Sequence, residues 1–134
     1  MSLENNIGYD ISLNAAADLS AKQFQAVVVD STGKAALAGA GAQAIGILQN
    51  KPTSGQAAAV RVMGISKMLC GGSFNPGDLV SCDANGKAVK YTASSVAAGT
   101  PEPLAGTHVL GVALEAGVNA QYAAIALVHS GLSN

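Results

Sequence analysis

The sequence predicts an all-β protein: a small β-barrel or sandwich built from two pseudo-repeated halves, with an extended N-terminal arm and little helix. Three observations carry that prediction. Short apolar runs recur at regular spacing between turns rich in Gly, Asn and Asp. No segment keeps a helical period over three turns. One turn device also occurs twice, as Val-Val-Val-Asp-Ser-Thr-Gly-Lys-Ala at 27–35 and Val-Ser-Cys-Asp-Ala-Asn-Gly-Lys-Ala at 80–88.

Each copy of the device reads as strand, tight turn and return strand. β-Branched valines favour the extended backbone. Asp30 and Asp83 can bond their side chains to backbone two residues on, and Gly33 and Gly86 can take a positive φ without a steric penalty. Ahead of the first copy, Ile7, Tyr9, Ile11 and Leu13 alternate with polar or small residues, a period-two strand pattern. Residues 1–17 are read as an arm outside the duplication, one that either adds to its own sheet edge or reaches onto a neighbour. Residues 18–134 form a single β domain, with pseudo-repeats at about 24–70 and 77–129. Ser20 and Gln23 resemble a capping box, so one helical turn is expected over 18–23.

Further along, 44–48 is a strand in which Gly46 marks a bulge or a close backbone approach. Residues 57–63 form the next strand, with Val60 and Val62 on one face and Arg61 on the other, and 65–69 continue it past Gly64. The second half repeats this order, Gly111 standing where Gly46 stands. Gly33 and Gly46 are 13 residues apart and Gly86 and Gly111 are 25, so the second copy carries a 12-residue insertion. It falls in 92–106, a loop holding Pro101 and Pro103, with a short helix expected over 93–98.

Composition narrows the function. The chain has 134 residues, enough for one domain with a real core. Only 11% of residues are charged, against about 25% in typical soluble domains. So few charges on a surface of small residues suggest that much of it is covered by partners. A net charge of -1 argues against nucleic-acid binding, which needs a basic footprint. Every apolar run is interrupted before it reaches the length of a membrane span, and the N-terminus carries no basic region followed by an apolar segment. Cys70 and Cys82 do not make a disulfide framework and suit a protein made in a reducing cytoplasm.

The candidate chemical motifs are weak. Thr32-Gly33-Lys34 has the end of a phosphate-binding loop but lacks its earlier glycine, its Ser or Thr after the lysine, and its helix. Ser66-Lys67-Met68 lacks the hairpin tip of a biotin-carrying lysine. His108 and His129 share no metal-ligand spacing with the cysteines. Asp30 and Asp83 are explained by equivalent turns. Arg61, the one charge in an apolar strand, reads as an outward strand position or as half of an interface ion pair. No enzyme activity, cofactor or metal is expected.

Several segments in order carry a resemblance: 18–24, the strand to Asp30 with Gly33-Lys34, 44–52, 55–64, and 77–80 with 83–87. From Asp18 onward the chain resembles the capsid decoration, or cement, proteins of tailed bacteriophages. That resemblance implies a virion protein on the outer surface of the head, made in the host cytoplasm and acting as a homotrimer that braces the major capsid protein, with no catalytic residues. With the alternating pattern of the arm and the lone charge in its strand, Ile7, Tyr9, Ile11, Leu13 and Arg61 are the expected capsid or inter-subunit contacts, the arm pairing with a strand edge of a capsid or sister subunit. Deleting residues 1–14 is then expected to leave a folded core that no longer decorates heads. The alternative is a carbohydrate- or receptor-binding module of a virion; it would need exposed aromatic platforms, and there are three Tyr, two Phe and no Trp.

Overall fold

The computed structural model describes residues 8–40, 42–91 and 109–128. Ile7, the insertion at 92–106 with its expected helix, His108, His129 and the last five residues lie outside them. The described chain is all-β, an antiparallel sheet curled into a half-barrel. Its strands are β1 (Tyr9–Asn14), β2 (Ala26–Val29), β3 (Ala35–Leu37), β4 (Gly46–Leu48), β5 (Ala57–Leu69), β6 (Leu79–Cys82), β7 (Ala88–Lys90), β8 (Gly111–Ala113) and β9 (Tyr122–Leu127). The sheet order is β3-β2-β4-β5-β9-β8-β6-β7, with β1 also paired to β5.

Where a helical turn was expected over 18–23, the chain makes tight turns. The Asp18 carboxylate accepts the Ser20 amide at 3.0 Å, a local bond that competes with helix, and Gln23 Nε2 donates to the Gln49 carbonyl at 2.9 Å instead of closing a capping box.

β5 is the longest strand, at 13 residues, and it belongs to both halves of the molecule. Its first part pairs with β1 on one edge and β4 on the other. Its second part, from Gly64, pairs with β9. Of the two alternatives for the N-terminal segment, its described strand Tyr9–Asn14 takes the first and adds to the chain's own sheet.

It is also inside the duplication. Ala15 N donates to Gln56 O at 2.8 Å, and Cys70 N donates to Gln121 O at 2.8 Å. Gly55 N and Ala120 N return the bond to Ala15 O and Cys70 O at 3.0 and 2.9 Å. Ala16 N to Ala35 O and Gly71 N to Ala88 O are both 2.8 Å. The repeat thus runs β1, β2, β3, β4 and the first part of β5, then the second part of β5, β6, β7, β8 and β9. Its boundary falls within β5, at Gly64, and not at a linker.

The packing obeys the same repeat. The first repeat encloses Ala15, Leu19, Val27, Ala35, Leu48, Ala58 and Val60. Their counterparts Cys70, Phe74, Val80, Ala88, Ala113, Ala123 and Ile125 lie in the larger second core. That core has additional members, Ala26, Ala38 and Ile47, from the opposite face of the first repeat. The first repeat therefore stacks its outer face onto the open core of the second. The seam is closed by hydrogen bonds from Ala26 N to Gly86 O at 2.8 Å and from Gln25 Nε2 to Asn85 O at 2.6 Å.

Gly46 and Gly111 are fixed by the close approach of a neighbouring strand's backbone. A Cβ on Gly46 would collide with the Arg61 carbonyl oxygen, and one on Gly111 with that of Ala126, so only glycine lets β4 and β8 lie against their neighbours. This is the close approach, not a bulge, of the two alternatives raised by Gly46. Several turns instead depend on a left-handed residue, and one matched pair differs in what fills that position. The turns at 53–56 and 118–121 place Gly55 at φ 82° and Ala120 at φ 70°. Alanine there costs about 1 kcal/mol relative to glycine.

Two outcomes follow from these contacts. Ala120→Gly should raise the denaturant midpoint and Gly55→Ala lower it, each by about 1 kcal/mol of unfolding free energy. Removal of residues 1–14 should lower the midpoint markedly rather than leave an intact core, because it strips the partner strand from β5 and the Leu13 side chain from the first core. Urea unfolding followed by circular dichroism reads both.

Candidate interaction surfaces

The residues expected to make contacts have distinct fates. Tyr9 is 66% exposed and pairs in register with Met63, itself 55% exposed. Ile11 is 37% exposed at the edge of the first core, and Leu13 packs against that core. Arg61 Nε donates to Asp10 Oδ1 at 2.8 Å and Nη2 to Asp10 Oδ2 at 3.3 Å, while Nη1 donates to the Ile65 carbonyl at 3.0 Å. The guanidinium is thus a clamp inside one chain: it pins β1 to β5 and satisfies a carbonyl just beyond the β1 pairing. Gly8 permits this, since a Cβ there would stand 2.6 Å from Arg61 Nε. The interface ion pair anticipated for Arg61 is an intrachain one, and the hydrogen-bonding edge of β1 facing β5 is already used.

The repeated Asp turn is a scaffold. In the first copy, Asp30 Oδ1 accepts the Thr32 amide, the Lys34 amide and the Thr32 hydroxyl at 2.9, 2.9 and 2.7 Å. In the second, Asp83 Oδ1 accepts the Asn85 and Lys87 amides at 2.8 and 2.9 Å. The amides that a phosphate would need are consumed by the turn's own carboxylate. The Lys34 amide, and next the Thr32 hydroxyl, hold the Asp30 carboxyl below the usual carboxylate range.

Among the described residues no group of three or more His, Cys, Asp or Glu could hold a metal. Both cysteines are buried, and burial pushes the Cys70 thiol up, away from a reactive thiolate.

One surface cluster was not anticipated. Phe24 sits at φ 68° in the turn at 22–25, the position that Gly77 occupies at φ 90° in the matching turn at 75–78. A bulky residue there is strained. Its ring meets Tyr122 edge-on at 5.6 Å, and Lys67 Nζ lies 5.1 and 5.6 Å from the two ring centres. Tyr122 is 52% exposed and borders a shallow cleft of about 220 Å³ that also touches Gln23 and Lys51. The available signal was positional: a phenylalanine aligned with a turn glycine.

Asp30→Ala should destabilise the protein at neutral pH, and the deficit should shrink as pH falls. A carboxylate whose folded pKa is depressed contributes stability that is fully present above its unfolded value, about pH 4, and lost below it. Paired urea titrations of the two proteins from neutral pH to pH 2 check this.

No protein-family model matches the chain, and no curated protein matches it. Among solved structures it is similar to the N base of the head fiber protein gp8.5 of bacteriophage phi29. That likeness has a TM-score of 0.61 at 15% identity and covers 96% of this chain and 100% of that one. At this identity the comparison establishes a shared fold over nearly the whole chain.

Proposed function

We propose that this protein is a structural component of a phage virion: it binds the outer surface of the assembled head as a homotrimer and stabilises the capsid lattice through the major capsid protein. The observation that carries the reading is the fold shared over nearly the full length with the base of a phage head fiber. The order of segments from Asp18 onward supports the decoration role specifically. The charge-poor surface fits it too, with Tyr9, Met63, Val118 and Tyr122 each about half or more exposed. A protein that binds only the assembled shell stabilises that state by mass action, and many copies act together through multivalency. The contact surface includes the exposed residues of β1, Tyr9 and Ile11, presented by a strand anchored in its own sheet.

A glycan-binding module of a virion is the second reading, and the Phe24–Tyr122–Lys67 surface beside a polar cleft is what favours it. Purified protein mixed with undecorated heads should co-sediment saturably, and Tyr122→Ala should retain that binding. Absence of saturable binding would reject head decoration. Retention on a glycan array that Tyr122→Ala abolishes would favour the second reading.

A further inference from the structure

The internal seam between the repeats leaves two complementary faces without a covering element among the described residues. Within the chain, the outer face of the first repeat (Ala26 and Ile47, each 0% exposed) covers the core of the second. The counterparts of those residues on the second repeat are Leu79 and Val112. Leu79 is 43% exposed and Val112 half-buried. At the other end, the rim of the first repeat's own core is open in the same way. Val29 is 44% exposed where its counterpart Cys82 is 4% exposed and has its Sγ 3.2 Å from Gly39 O across the seam. Ile11 is 37% exposed where its counterpart Ser66 is 3% exposed. The turn glycines tell the same story. Gly86 is wedged against the first repeat, its Cβ position 2.9 Å from Ala26 O, whereas Gly33 has nothing within 4 Å.

We propose that a second copy of the chain completes this pattern. The rim around Val29, Ile11 and the Gly33 turn of one copy docks on the outer face around Leu79 and Val112 of the next, reproducing the seam inside each chain. The two faces differ, so the contact is heterologous, and such contacts close into rings or run on as filaments. It supplies the contact for the trimer proposed above and rests on that reading only for the number of copies. The contact between copies is weaker than the internal seam for an identifiable reason. Asp78 stands where Gln25 stands, and a carboxylate cannot donate to the Thr32 carbonyl as Gln25 donates to that of Asn85.

The test is a pair of charge substitutions read by analytical ultracentrifugation. Wild-type protein should sediment as a finite oligomer. Leu79→Asp and Val29→Asp should each give folded monomers, with circular dichroism spectra like the wild type. Mixed in equal amounts, the two variants should form dimers and nothing larger, because each retains the face that the other lacks. A monomeric wild type, an oligomer that survives either substitution, or a mixture that stays monomeric would overturn the proposal. If Val29→Asp misfolds, Val29→Ser serves in its place, expected to weaken assembly rather than abolish it. A ring of a different copy number with the same mutant behaviour would refute the trimer and leave the contact standing.

Discussion

The constraint on which the rest depends is the continuity of β5. One strand closes the first repeat and opens the second, so its backbone bonds to β1, β4 and β9 in turn. Before Gly64, Leu48 and Val60 pair on the face of the first core, and Ile47 and Arg61 on the opposite face. Beyond Gly64, Met68 and Cys70 turn into the second core, which also contains Ile47. The strand therefore changes face near Gly64, whose φ of 101° few other residues would adopt. Without that change the two repeats would extend one flat sheet. With it, the first repeat becomes the lid of the second.

Much of this was legible in the sequence. The valine runs, the paired Asp-Gly-Lys turns and the matched Gly46 and Gly111 identify strands and their order, because turn chemistry and close backbone approach restrict residue type tightly. The role of β1 was not legible. Its counterpart is the second part of β5, and across those six positions only Leu13 and Met68 are alike in kind. Ile11 answers to Ser66 and Tyr9 to Gly64, so a search for similar letters stops at the first hairpin. Backbone hydrogen bonding keeps the duplication where side chains have diverged, since a ladder asks little of residue identity.

The surface was less legible for a related reason. Arg61 stands out in a list of residues, yet its partner Asp10 lies 51 positions away and is found only once β1 is set against β5. The Phe24 and Tyr122 pair likewise comes from different repeats. A period-two pattern tells which face a side chain takes within its own strand. It does not tell which distant strand will lie beside it.

The shared strand also sets a length. Thirteen residues at about 3.3 Å each make β5 a ruler of at most roughly 40 Å, joining both repeats without a flexible hinge. Two surfaces joined by such a rigid spacer lose little conformational freedom when both engage a periodic target. A target whose period does not match gains nothing from the second contact.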